Sequence, residues 1–267
     1  MRLLATLRAL PTLFRIGFAE AVAYRAEMLV WILATTMPLI MLALWTAVAR
    51  DAPMGRFGQD DFVAYFLATF IVRQLTGSWA AWEINFEVKN GTLASRLLRP
   101  VHPIVMYAVE NLSAVPLRLV VAIPVAAVAL LTVGAGALPA SLLGWTMVGA
   151  AIVGGWLITY LVNVAIGALS LFMESSNKLM DVWLAGFLVF SGYLIPVELF
   201  PPGVRPIVDW LPFRFQIGLG VELLTSRHDL PAALWLLARQ WAYVLLAFGL
   251  VMALWRAGMK RHAAFGG

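Results

Sequence analysis

The chain has 267 residues, is 62% hydrophobic and only 12% charged, and has a mean hydropathy of +0.88. So little charge cannot clothe a soluble domain, so the composition points to an integral membrane protein. In that setting the net charge of +5 reads as orientation markers rather than a nucleic-acid surface, and the lack of cysteine excludes disulfides, thiol catalysis and Cys-ligated metal.

Ahead of the first long apolar run, Leu3, Leu7, Leu10, Phe14, Phe18 and Ala21 recur at three- and four-residue steps, with Arg8, Thr12 and Arg15 on another face. The pattern predicts an amphipathic helix at the membrane interface over residues 1–25, with Pro11 as a bend. Charged residues interrupt the stretch up to Glu27 and leave no apolar core of the signal-peptide kind. Six transmembrane spans follow, near Met28–Ala49, Phe62–Trp82, Pro103–Val133, Leu142–Met173, Leu179–Ile195 and Ala232–Trp255. Long unbroken runs without ten-residue alternation favour helices over a barrel, giving an all-α membrane fold in one domain, 1–267. Asp60-Asp61 stands at the start of the second span as a partner for its N-terminal dipole.

Arg73 lies near the middle of that second span. A central arginine costs roughly 2.5–3.5 kcal/mol to insert, so it should face protein or water. Thr69, Thr76, Gly77 and Ala80 share its face and permit close helix approach. Glu110 in the third span lies at a matching depth and is the expected partner, with Arg118 two turns further along the same face. The favoured reading is an ion pair locking two helices; the other is a substrate contact. Pro116 and Pro124 predict kinks in the third span, each removing a backbone donor.

Between these two spans lies FEVKNGTLASRLLRP, Phe86–Pro100. Asn90-Gly91 is a turn pair, Thr92 is placed to N-cap a short helix, and Pro100 closes that helix at Arg99. Leu93, Ala94, Leu97 and Leu98 form one face, with Arg96 and Arg99 on another. So short a helix is unstable alone and needs a surface. That surface is either the membrane face or a cytoplasmic partner.

Glu87-x-x-x-Gly91-Thr92-Leu93 followed by Leu97-Leu98-x-Pro100 resembles the cytoplasmic coupling helix of ABC-2 type transporter permeases, nearest the multidrug- or viologen-type exporter branch. The resemblance takes in the spans, the N-terminal helix and the outer segment described next. It implies that a groove of a separate ATPase dimer receives the loop helix. Leu93, Leu97 and Leu98 would supply apolar contact, Arg96 and Arg99 the rim, and Glu87 a polar contact or helix-end partner. Closure of the ATPase around ATP and Mg would then move the spans.

After the fourth span, Glu174, Lys178 and Asp181 read as a cytoplasmic salt-bridge face. Ser191–Arg214, SGYLIPVELFPPGVRPIVDWLPFR, follows the fifth span. Gly192 and Pro196 weaken that span's end. Val204, Ile207, Val208 and Leu211 form an apolar stripe at helical spacing, Arg205 and Asp209 an i,i+4 pair, and Pro212 ends the run. With a second short helix across Gln216–Leu224, these residues predict an extracellular helical hairpin over 196–225. In the ABC-2 family, small-Gly-x-x-x-Pro and a Pro-rich half-inserted hairpin cap the extracellular end of the pathway. By that resemblance Gly192, Pro196 and Pro212 form a candidate gate.

With the N-terminus inside, the cytoplasmic segments hold Arg2, Arg8, Arg15, Arg25, Lys89, Arg96, Arg99, Lys178, Arg256, Lys260 and Arg261, against Arg50, Arg56, Arg205, Arg214, Arg227 and Arg239 outside. The excess predicts both termini in the cytoplasm. The chain contains no G-x-x-x-x-G-K-[ST], HExxH or GxSxG, so no enzyme activity or cofactor is expected in it, and ATP and Mg belong to the partner ATPase. His102, His228 and His262 lack ligand spacing, so no metal is expected. The reading is a multi-pass permease of the bacterial inner (plasma) membrane. It forms half of an export pathway with a second permease subunit, identical or related, on an ABC ATPase dimer, and binds no nucleic acid. The alternative is an ATP-independent secondary transporter or channel using Arg73 and Glu110 as a coupling pair; no paired Gly/Pro-broken short spans support it. A pathway lined by small and apolar residues would suit lipophilic or cationic drugs, and equally a lipid-linked glycan.

Overall fold

Helices carry the structure, a computed structural model that describes residues 2–50, 52–133 and 138–266. Side chains are described for all of these except 2–5, 28, 133 and 262–266, so Arg2, Leu3 and His262 lie outside them. Helix α1 (Arg2–Ala23) runs through Pro11 and lies along α7 (Pro103–Ser113). Gly17 is buried there, and the Ser113 hydroxyl sits 3.2 Å from the Phe14 carbonyl. Leu7, Phe14 and Phe18 of the apolar stripe are exposed.

Three of the expected spans are interrupted. The first is α2 (Arg25–Ala34) and α3 (Met37–Val48), parted where Pro38 cannot donate to the preceding turn. The hydroxyls of Thr35 and Thr36 donate to the carbonyls of Ile32 and Leu33, at 2.7 and 2.8 Å. The second is α4 (Gln59–Thr76) and α5 (Ala80–Lys89), separated by Gly77-Ser78-Trp79. Backbone groups freed in a bilayer must find partners within the protein. Here Arg118 Nη1 donates to the carbonyls of Gln74 and Gly77 (3.4 and 3.3 Å), while Asn111 Oδ1 accepts from Trp79 N–H (3.2 Å) and Asn163 Oδ1 from Ala81 N–H (3.3 Å). The third is α7 and α8 (Val115–Val133), broken beside Pro116, whereas α8 continues through Pro124. Asp60 and Asp61 occupy the first turn of α4, and the Asp61 carboxylate accepts from Gly58 N–H at 3.0 Å.

Helix α6 (Leu93–Leu97) occupies the loop after α5. Then come α9 (Leu142–Ala168), α10 (Asn177–Phe190), α11 (Arg205–Trp210), α12 (Gly218–Leu224) and α13 (Leu230–Gly266). Helix α9 is the hub: α13, α5 and α12 pack on it around Ile158, Val164, Ala168, Leu219 and Val251. Among the described residues, Arg25–Val48, Pro103–Thr132, Leu142–Leu171 and Leu230–Arg261 are long and apolar enough to cross a membrane. The second and fifth expected spans are not among these. Helix α4 carries Asp60, Asp61 and Arg73 and ends at a break; α10 has 14 residues, about 21 Å at 1.5 Å per residue, short of a hydrocarbon core of about 30 Å. Nor do Glu174, Lys178 and Asp181 form the expected ion pairs among the described residues; all three side chains are at least partly exposed.

The segment from α10 to α13 is divided: residues 201–207 are exposed, whereas 214–223 are buried. Phe215, Gln216, Ile217, Leu219 and Val221 are all in the core. Of the expected apolar stripe only Val208 is buried, while Val204 and Ile207 are exposed, because α11 is a single short helix touching the bundle along one line. The Arg205–Asp209 pair forms loosely at 3.8 Å, since Arg214 takes Asp209 more closely. Arg214 also donates from Nη2 to Glu222 Oε2 at 2.6 Å, and His228 Nε2 lies 2.7 Å from the same oxygen. Burial opposes the Glu222 charge, but Arg214 and His228 hold its carboxyl down at about 2. Removing one member of such a buried pair costs about 3–5 kcal/mol, so Glu222→Gln should lower the thermal midpoint of the solubilised protein. Because the native pKa is depressed, that stabilisation is full above the unfolded value and is lost as pH falls. The gap between wild type and Glu222→Gln should therefore be constant near neutral pH and close from pH 4.5 downward, as followed by thermal unfolding at each pH.

Candidate functional site

The loop between α5 and α7 places Arg96 against three carboxylates, Glu83 and Glu87 of α5 and Glu110 of α7. Gly91 turns it, with φ at +70°, a conformation costly for any residue with a β-carbon. Thr92 does not cap α6: its backbone is already helical and its hydroxyl only approaches the Glu87 carbonyl, at 3.5 Å. Leu93 is fully buried in the same core cluster as Tyr107, and Val88 and Leu97 pack against that cluster. Leu98 is 88% exposed, and Thr92, Ala94, Ser95, Arg99 and Lys89 are exposed beside it.

Arg96 turns inward. Its Nε and Nη2 grip Glu87 at 3.0 and 2.6 Å, its Nη1 reaches Glu110 at 2.7 Å, and Nη2 also reaches Glu83 at 3.1 Å. The guanidinium lies 4.1 Å from the centre of the Tyr107 ring, and the Tyr107 hydroxyl donates to Glu87 Oε2 at 2.6 Å. Only 11% of the Arg96 side chain is exposed. Burial opposes its charge, yet Glu87 and Glu110 raise its pKa above the ordinary arginine value. Arg96 therefore ties α6 to two helices at once, α5 through Glu83 and Glu87 and α7 through Glu110.

This arrangement corrects the expected faces of the loop. Arg96 and Glu87 bind each other rather than standing at an outward rim, and Leu93 is core. A regular helix in isolation would place charge outward, but five residues between two spans must be fastened to something, and the carboxylates of α5 and α7 are what lies beneath. Glu110 is therefore engaged by Arg96, and the expected Arg73–Glu110 pair does not form among the described residues. Arg73 instead lies 5.2 Å from the Phe187 ring centre, and Arg118 stacks 4.9 Å from that of Trp79. Sequence reasoning missed Glu83, Tyr107, Asn111 and Asn163. Glu83 and Glu87 are spaced i,i+4 on one face of α5, a signal visible in the sequence once an arginine is sought in the loop rather than in a span.

At the other end of the α4–α5 pair, Gly192 adopts φ +88° and its carbonyl accepts from the Tyr65 hydroxyl at 2.9 Å. Pro196 is buried and opens a 3-10 turn over Val197–Leu199; Pro212 is half-buried after α11.

A family model described as ABC-2 family transporter protein matches residues 32–266. No curated protein matches the chain.

The clasp makes a quantitative forecast. Arg96→Gln and Glu110→Gln should each destabilise the solubilised protein, and their double-mutant cycle should show a coupling of about 0.5–3 kcal/mol. The cycle between Arg73→Gln and Glu110→Gln should be additive. Thermal unfolding of the single and double variants measures both.

Proposed function

This chain belongs to the ABC-2 family of transporter proteins, and from that premise we propose that it is the permease subunit of an ATP-driven exporter. It crosses the membrane several times, with both termini in the cytoplasm and the inner membrane as its site. It supplies half of the pathway, a second permease chain the other half. ATP and Mg act in a separate ATPase dimer, in keeping with the absence of a phosphate-binding G-x-x-x-x-G-K-[ST] motif from this sequence.

The observation that carries the reading is the Arg96 clasp. A one-turn helix held by apolar contact alone would swivel, because that attraction is non-directional. A guanidinium fork set against carboxylates on two helices fixes its orientation. What remains outward is Leu98, Arg99, Thr92, Gly91 and Ala94, and these are the residues for the ATPase groove. Leu93, Leu97, Arg96 and Glu87 act on the inside, passing a displacement of α6 to α5 and α7. Helix α5 can respond because it is severed from α4 at Gly77-Ser78-Trp79. The hairpin around Gly192, Pro196 and Pro212 closes the outer end. The alternative of an ATP-independent transporter drew on an Arg73–Glu110 coupling pair, and Glu110 is occupied by Arg96.

Mild solubilisation from the native membrane and identification of copurifying chains tests the reading. A soluble chain with a nucleotide-binding loop is expected. Leu98→Asp combined with Arg99→Glu should reduce its recovery at least tenfold while leaving the permease's thermal midpoint within a degree or two. Recovery of the permease alone, with transport in vesicles that needs no ATP, would overturn the proposal.

A further inference from the structure

The middle of the bundle holds two positive charges without an acid. Arg118 is 9% exposed and Arg73 half-buried. The Nη1 atoms of both come within 3.4 Å of the point where a β-carbon would stand on Gly77, so the two guanidiniums sit at the α4–α5 break together. Arg96, Arg214 and Arg227, whose side chains are at most 11% exposed, each have at least one carboxylate partner. Among the described residues neither Arg73 nor Arg118 has any.

Arg118 has a structural reason to be there. It donates to two carbonyls at the end of α4, where the helix leaves acceptors free and a partial negative charge. Arg73 has no such reason. Around it are the Phe187 ring face and the hydroxyl of Tyr193. That hydroxyl already donates its proton to the Thr35 carbonyl at 3.1 Å, so it offers Arg73 only a neutral lone pair. A buried charge is normally paired or neutralised, and an arginine does not lose its proton. Two like charges this close repel each other as well. The missing partner is an anion.

Resting on the exporter reading, we propose that Arg73, backed by the field of Arg118, binds the oxyanion group (phosphate, sulfate or carboxylate) of the transported molecule at the break in the second span. Arg73 makes the contact, since its donors are not committed to carbonyls. Phe187, Trp79 and Tyr193 supply an aromatic wall for the apolar part next to that group. The cargo is thus acidic rather than cationic. An intramembrane ionisable residue of this kind marks a substrate path more often than a lipid face.

The test uses the protein in a neutral detergent with whatever chains copurify, and three probes: dodecyl phosphate, dodecyltrimethylammonium and inorganic phosphate. Dodecyl phosphate should bind saturably by calorimetry and raise the thermal midpoint; the cationic amphiphile should do neither. Binding should weaken at least tenfold in Arg73→Gln and persist in Arg73→Lys. Phe187→Glu places a carboxylate beside Arg73 and should abolish binding while preserving or raising the midpoint, which keeps the test open if Arg73→Gln does not fold. Matching affinity for inorganic phosphate would identify a water-soluble oxyanion as the ligand, and its absence an amphiphile. Equal binding of both dodecyl probes, or undiminished binding in Arg73→Gln and Phe187→Glu, would overturn the site. None of these readouts needs ATP, so failure of the ATPase copurification and failure of this site are separately visible.

Discussion

The end of this molecule that carries α6 is organised by one guanidinium. Arg96 sits on a helix of five residues and reaches three carboxylates on two other helices. In water such pairs contribute little, because both charges are already well solvated. Here the groups are largely withdrawn from water, and the balance between desolvation and attraction turns on geometry. A planar fork can satisfy that geometry on several acceptors at once; a lysine ammonium on a flexible stem cannot. Loss of the arginine would leave Glu83, Glu87 and Glu110 facing one another. The same interaction that orients α6 therefore also holds α5 and α7 together at this end.

The clasp matters because the helices it joins are not continuous rods. Three of the expected spans are broken, at Thr35-Thr36, at Gly77-Ser78-Trp79 and at Ala114. Each break frees backbone donors and acceptors that lipid cannot satisfy, and polar side chains take up several of them. Arg118, Asn111 and Asn163 converge on the second break from three directions. Helix α9 remains unbroken through this region and contributes more residues to the main buried apolar cluster than any other helix. The result is a fixed central helix surrounded by half-helices whose ends are held by hydrogen bonds. Such joints deform at lower cost than a continuous helical ladder would.

Much of the architecture was legible from apolar run length, and the misses share a cause. The runs gave the positions of the helices because burial in lipid demands uninterrupted apolar composition. They did not give the breaks, because Gly77-Ser78-Trp79 and Thr35-Thr36 are no more polar than many unbroken helical stretches. Pro38 and Pro116 were the readable signals, and Pro124 shows that a proline alone does not decide the matter. In the loop, Asn90-Gly91 announced its turn through backbone chemistry, which is local. The Thr92 cap failed because α6 is too short to set its own geometry. The Arg73–Glu110 pairing failed for a different reason. Depth matching assumes straight helices and counts only intramembrane charges, whereas Glu110 was claimed by an arginine outside the spans. The i,i+4 spacing of Glu83 and Glu87 held the correct answer, yet it becomes informative only when the loop arginine is known to fold inward.

Charge is distributed unevenly on either side of the α4–α5 break, and α5 connects the two extremes. At one end the clasp holds two more carboxylates than guanidiniums. At the other, Arg73 and Arg118 have no acidic partner among the described residues. Along α5, which starts at Ala80 beside the break, the clasped Glu83 and Glu87 stand about 5 and 10 Å away at 1.5 Å per residue. The acids nearest to Arg73 and Arg118 are already held by Arg96, so they do not pair with these two cations. A fold selected only for stability would have little use for that separation. On the proposed reading it follows from function: the inner end must stay rigidly clasped to relay force from α6, and the break must keep a cation free for cargo. A displacement of α6 reaches α5 through Glu83 and Glu87, and the far end of α5 begins beside Trp79, on which Arg118 stacks. On that reading the relay from loop to proposed binding point would need one short helix and two arginines, with no longer path through the bundle.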